Sequence, residues 1–205
     1  MPVRPLISIA LVALLAACGT TTKPPAPSAP SGTTTAPLPS SPSPSTKYYL
    51  DDGPGANPPP NLDAVPDAVP RAEPLHRFAN RPYTVLGRDY VPATSLRPYR
   101  ERGVASWYGR KFHGQKTSTG EIYDMYAMTA AHPTLPLPSY ARVTNPATGV
   151  SVVVRVNDRG PFLHGRVIDL SFAAAHKLGI AQRGSGEVEV EAVLRRMAGA
   201  PAPLV

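Results

Sequence analysis

Apolar and polar positions are distributed very unevenly along this chain. Leu6–Ala17, "LISIALVALLAA", is an uncharged, largely apolar run behind Arg4. From Gly19 to about Ala79 apolar periodicity all but disappears, as in "KPPAPSAPSGTTTAPLPSSPSPS" and "DDGPGANPPPNLDAVPDAVPRAEP". Beyond residue 80 short apolar runs with a period of two take over, the mark of half-buried strands. "PYTVLGRDYVP" (Pro82–Pro92) predicts a short hairpin around Gly87. "GVASWYG" predicts a strand with Val104, Ser106 and Tyr108 on one face. "YAMTAAHP" fits a strand or one helical turn, ended by Pro133. "YARVTN" and "VSVVVRVND" are joined by "PATG", a hairpin with Gly149 at a positive φ. After a further strand at Val167–Leu170, Ser171 is placed to cap a helix over "FAAAHKLG", with Gly179 just past its end. "EVEVEAVL" (Glu187–Leu194) alternates cleanly and predicts a closing strand with one solvated face. Six or more short strands and one small helix in about 115 residues define a mostly β fold, a barrel or a sandwich.

Composition sharpens the division. Eighteen of the 27 prolines lie between residues 19 and 100. A segment so rich in Pro, Ser and Thr cannot bury enough apolar surface to offset its ordering entropy, so a disordered tether is expected. Extended at ~3.1 Å per residue, it would reach about 100 Å or more. The apolar run is too short for a membrane span, which needs ~20 residues, and suits the core of a secretory leader. The expected organisation is a leader over 1–17, a tether over 18–79, a folded domain over 80–196 and a tail over 197–205. Cys18, the sole cysteine, excludes an intramolecular disulfide and a cysteine-based zinc site. The net charge of +7 is scattered without a basic run, which argues against nucleic acid and fits an acidic polymer or anionic surface.

Candidate chemistry in the folded half is limited to a few side chains. Glu187, Glu189 and Glu191 alternate along the last strand as its solvated face, and Glu101 precedes the first core strand. That leaves Glu121, Asp124, Asp158 and Asp169, all near turns or strand ends, where functional groups tend to be displayed. Glu121 follows the polar loop "GQKTSTG". Asp158 fits equally an Asx turn or a pair with Arg155 or Arg159. Asp169, between Ile168 and Leu170, fits equally a helix-capping role. His132 stands at a strand end, where a structural histidine is the default. The five histidines show no ligand spacing, so no metal is expected, and no P-loop or nucleophile elbow is present. No cofactor is implied. Trp107, Tyr108, Tyr123 and Tyr126 are candidates for stacking on sugar rings or for the core.

Two segments carry a resemblance: "GVASWYGRKFHGQKTSTGEIYDMYAMTAAHPTLPLPSYARVTN" and "VVVRVNDRGPF…GRVIDLSFAAAHKLG" are similar to the rare lipoprotein A family over about residues 80–194. The resemblance implies a six-stranded double-psi β-barrel with one short helix. It also implies a lytic transglycosylase that cleaves the MurNAc–GlcNAc bond of peptidoglycan glycan strands and leaves 1,6-anhydroMurNAc ends. Its important side chains fall on Glu121, Asp158 and His132, and the related expansin pattern adds Asp169. Trp107, Tyr108, Tyr123, Asn157 and Arg159 become the expected substrate contacts. Asp169, flanked by apolar residues, is the more easily desolvated acid and the expected proton holder, with Asp158 ionised and Glu121 facing both from the polar loop. "LAAC", ending at Cys18, resembles a lipobox, which implies a lipid anchor on the periplasmic face of the outer membrane. Many members carry a further glycan-binding repeat. The chain ends at Val205 without one, so recruitment through the barrel or tether is expected. The rival readings are an expansin-like wall binder that does not cut and a hydrolytic muramidase.

Overall fold

The computed structural model describes residues 52–163 and 165–194. A short hairpin, β1 (Tyr83–Val85) and β2 (Arg88–Tyr90), turns at Leu86 and Gly87, both at positive φ. Six strands then close a barrel: β3 (Arg100–Tyr108), β4 (Thr129–Ala131), β5 (Ser139–Thr144), β6 (Ser151–Asp158), β7 (Arg166–Ser171) and β8 (Ser185–Ala192). Around the barrel the order is β3-β7-β4-β6-β5-β8. Two neighbouring pairs, β3/β7 and β4/β6, run parallel, and the remaining pairs are antiparallel. Closure leaves the barrel itself without a sheet edge.

Period-two alternation fills the interior. Ala105, Ala130, Val143, Val152, Val154, Val156, Ile168, Leu170, Val188 and Val190 are almost fully buried, at ~1.5–3 kcal/mol for each larger aliphatic side chain. The helix α1 (Phe172–Lys177) starts where Ser171 Oγ accepts the Ala174 N–H at 3.2 Å, and it ends before Gly179 at φ 72°. "YAMTAAHP" resolves as strand β4, and Glu101 lies inside β3 rather than before it.

Both parallel pairs contain a bulge that the alternation does not reveal. Val104 pairs with Arg166 and Ala105 with Ile168, so Val167 is the extra residue. Ala130 pairs with Val156 and Ala131 with Asp158, so Asn157 is the extra residue. Gly103 accommodates the first bulge, since a Cβ there would meet Val167 Cγ1 at 2.5 Å. Bulges re-aim the side chains that follow them. Here they bring four residues into one row across the sheet: Ser106, Asp169, Ala131 and Asp158.

The expected tether is shorter than its composition suggests. Residues 52–79 form a strap laid on the barrel. Leu62 is buried, Ala68 N–H donates to Val153 O at 3.0 Å, and His76 N–H donates to Leu137 O at 2.7 Å. Asp67 accepts the Val153 N–H and the Lys177 ammonium at 2.9 and 2.8 Å. Beside the packing of Leu62, Val65, Ala68 and Ala79 on the core, the strap is held by single polar contacts and has no periodic apolar stripe, so hydrophobic patterning could not detect it. The leader, Cys18, the tether up to residue 51 and the tail beyond residue 194 lie outside the described residues.

Candidate active site

A groove of about 670 Å³ runs across the outer face of the barrel, and Asp158 and Asp169 both line it. Ala131 lies between them in the row, and its methyl group leaves the floor open. Two strand spacings separate the acids, roughly 10 Å between Cα atoms, which suits straddling a sugar ring better than sharing a proton. Leu86, Phe112, Phe162 and Leu163 line the groove as apolar wall.

The two acids have different surroundings. The Asp169 side chain is 15 % exposed, and Oδ2 accepts from Arg166 at 3.1 Å while the buried Oδ1 has no partner. Burial pushes its carboxyl up to about 6 against the opposing pull of Arg166. Ser171 caps the following helix, so the capping alternative for Asp169 does not hold. Asp158 Oδ1 accepts three hydrogen bonds, from Ser118 N–H (2.8 Å), Ser118 Oγ (2.6 Å) and Arg159 N–H (2.8 Å). This is a turn-like contact rather than an ion pair. Among the described residues, the second oxygen of Asp158 carries no hydrogen bond.

Glu121 does not line the groove. Arg155 holds it with hydrogen bonds of 2.6 and 2.9 Å and Asn157 Nδ2 adds a third at 2.9 Å. These contacts, Arg155 first, hold its carboxyl below the usual range against partial burial. The polar loop reaches Asp158 through Ser118 instead, a contact that sequence reasoning missed. Asn157, the bulge residue, is 3 % exposed and links Glu121 to the strand end that carries Asp158.

His132 is 1 % exposed, and its Nδ1 accepts the N–H groups of Thr134 and Leu135 at 3.1 and 2.9 Å. Nε2 faces the Tyr99 hydroxyl at 3.0 Å. Burial first, then Arg159, pushes its pKa down to about 3, so the ring is neutral and buried within the fold rather than in the groove. The native ring refuses a proton that the unfolded chain takes up near 6.5, so stability is lost as pH falls from there towards 3. His132→Ala is expected to lower neutral-pH stability by roughly 2–4 kcal/mol and to flatten the acid decline of Tm between pH 6.5 and 4. Thermal unfolding across pH checks this.

The expected substrate contacts divide. Tyr108 lines the groove, with its ring stacked on Tyr123 at 4.0 Å. Tyr123 lies beneath it, 2 % exposed, its hydroxyl donating to Tyr108 O, so it supports the wall and offers no platform. Trp107 packs against Phe172 at 5.1 Å and donates to Ala181 O at 3.2 Å, so most of it is core behind the groove. The Arg159 guanidinium is committed to the carbonyls of Ala79, His132 and Leu135 and to Asn80 Oδ1, at 2.6–3.0 Å. Arg159 also lines the groove, and these bonds brace that part of its wall. Arg166 and the apolar wall side chains had no distinguishing sequence signal. No group of three or more potential metal ligands converges among the described residues.

A closed six-stranded barrel of this order, with one acid at the end of β6 and another within β7 facing one external groove, is a double-psi β-barrel domain. Residues 100–190 match the family described as "Lytic transglycolase". The chain is 58 % identical over 149 residues to "Endolytic peptidoglycan transglycosylase RlpA" of Pseudomonas aeruginosa (strain UCBPP-PA14), covering 71 % of this chain and 43 % of that protein. The protein of the same name from Vibrio cholerae is 53 % identical over 135 residues, 66 % of this chain and 51 % of its own length. That from Neisseria meningitidis (strain Z2491) is 57 % identical over 128 residues, 62 % of this chain and 54 % of its own. The barrel, residues 100–190, belongs to this lytic transglycolase family, and over it the chain is similar to the rare lipoprotein A proteins. The chain spans about half the length of the curated relatives it matches.

Proposed function

We propose that this chain is a lytic transglycosylase that cleaves the MurNAc–GlcNAc bond of peptidoglycan and leaves 1,6-anhydroMurNAc ends. The observation that carries the reading is the row Asp169–Ala131–Asp158, two carboxyl groups of unlike surroundings across one groove. Asp169, whose buried carboxyl keeps its proton to about 6, protonates the glycosidic oxygen as the bond to C1 breaks. Positive charge grows at C1 between two acids, which stabilise it. The sugar's own C6 hydroxyl attacks C1, and the second oxygen of Asp158 takes its proton. The bond count balances without water: C1–O4 breaks, C1–O6 forms, and one proton moves from O6 to O4 by way of the protein. Glu121 and His132 act one step back, holding the strand end behind Asp158. The lipobox-like segment supports a lipid anchor at Cys18 on the periplasmic face of the outer membrane. A tether up to residue 51 would let the barrel reach the wall.

Digesting purified sacculi with the chain from residue 19 onward, followed by mass spectrometry of the ends, tests the activity. Anhydro ends are expected. Reducing ends would mean a hydrolase, and intact glycan that retains the protein would mean a binder.

A further inference from the structure

The β1–β2 hairpin lies outside the barrel, yet its tip is part of the groove. Strand pairing ends with Val85 opposite Arg88, so Leu86 and Gly87 form a two-residue turn, at φ 51° and 73°. Positive φ at both positions defines the mirror-image turn for which Asn-Gly is the preferred pair, because asparagine and glycine tolerate the left-handed region. A leucine there is strained, since its Cβ crowds the following carbonyl. Leu86 is the only non-glycine residue at positive φ among the described residues. Nor does packing compensate, because its side chain is 78 % exposed. A residue that strains its backbone and gains nothing from burial, on the wall of a groove, is explained by what the groove holds.

The hairpin is fixed firmly enough to present such a residue. Its three residue pairs alone would be marginal in water. Tyr83 and Tyr90 stack at 5.0 Å, and Phe162 of the groove wall meets both edge-on at 6.0 and 5.7 Å. The Tyr83 hydroxyl donates to Pro133 O at 2.9 Å. These contacts tie the hairpin to the groove segment that follows Asp158. We propose that Leu86 is a substrate-binding residue that seats an acetamido methyl group of the N-acetylated glycan. Side-chain chemistry selects that group. An aromatic ring such as Phe112 suits the C–H face of a sugar, whereas a branched aliphatic side chain standing free suits a methyl group. The acetamido methyl recurs on every sugar of such a strand, so a fixed leucine meets one whenever the strand is in register.

This inference rests on reading the groove as a glycan site, and one experiment separates it from the transglycosylase activity. Binding of glycan strands, native or de-N-acetylated, and release of anhydro ends are measured for the wild type, Leu86→Asn and Val91→Asn, with thermal unfolding of each. Leu86→Asn is expected to raise KM and the dissociation constant of native strands about 5–10-fold, with kcat within about twofold. On de-N-acetylated strands it should bind within about twofold of the wild type. Its Tm should rise by about 2–4 °C as the turn loses its strain. Val91, 71 % exposed and outside the groove lining, controls for a polar change on the hairpin, and Val91→Asn should bind as the wild type does. Unchanged affinity in Leu86→Asn, an equal loss on both kinds of strand, an equal loss in Val91→Asn, or a lower Tm in Leu86→Asn would overturn the inference. A wild type that binds glycan but releases no anhydro ends would overturn the transglycosylase reading alone, with the binding arm still deciding Leu86. A wild type that binds no glycan would overturn both.

Discussion

Replacing Asp169 with Asn is expected to reduce anhydro-end release by about 10²–10⁴-fold and to leave the domain at least as stable as the wild type at neutral pH. The two effects have one cause. The folded barrel holds the Asp169 proton to about 6, against an ordinary value of 3.8, because burial outweighs Arg166. Below pH 4 the group is protonated in both states and costs nothing. Between 3.8 and about 6 the unfolded chain gives up this proton while the folded one keeps it, and stability falls by roughly 3 kcal/mol from the shift alone, the loss being complete above 6. Asparagine never ionises, so Tm of the variant should match or exceed wild type at pH 7.5 and lose that advantage at pH 4.5. Wild-type activity should decline as pH climbs through 6, as the acid loses its proton. Asp158→Asn should be similarly inactive without the gain in stability, because an uncharged amide oxygen accepts these three bonds more weakly than a carboxylate oxygen does. End-group release with calorimetry at the two pH values distinguishes the variants.

Glu73→Ala is expected to be the most destabilising single change in the strap. Arg155 sits between two carboxylates, bonded to Glu73 at 3.0 and 2.8 Å and to Glu121 at 2.6 and 2.9 Å. The Arg155 and Glu73 side chains are each 15 % exposed. Breaking a buried pair costs ~3–5 kcal/mol; with Glu121 still in place, roughly 2–3 kcal/mol is expected. The effect should reach the groove, because Arg155 orients Glu121, Glu121 holds Asn157, and Asn157 is the bulge before Asp158. A fall of about tenfold in anhydro-end release is expected with little change in glycan binding. Arg155 also holds the Glu73 carboxyl at about 2, below its ordinary 4.5. The stability this contributes is complete above 4.5 and is lost as pH falls towards 2, so the variant should lack that acid-sensitive phase. A chain cut at residue 80 removes Glu73 with the rest of the strap and should be at least as impaired. Urea unfolding and end-group assays on both proteins check this.

Period-two patterning located the barrel strands because alternating Val, Ile and Leu fill a closed interior. The cap at Ser171 and the turn at Gly149 were legible because each has one local chemical requirement. The bulges at Val167 and Asn157 were not, since an extra residue changes register without changing composition. The two acids could therefore be chosen from the sequence, but not their shared row or the part of Ala131 in separating them. The strap escaped notice because Pro-rich composition reads as disorder, while its order comes from single contacts such as Glu73 with Arg155. Glu121 and His132 could be picked from the sequence as candidates, yet their burial and hydrogen bonds place them behind the groove. Sequence shows which residue types cluster, whereas the bonds they make depend on partners 30 or more positions away, as Ser118 and Asp158 show.

The claim that Asp169 holds the proton is tested most directly by ¹³C NMR titration of the carboxyl groups in aspartate-labelled protein, with Asp169→Asn used to assign the signal. A midpoint near 6 for Asp169 is the expected result. A midpoint in the ordinary range near 4 would contradict the account, because the fraction of Asp169 holding a proton near neutrality would then be about a hundredfold smaller than the account requires.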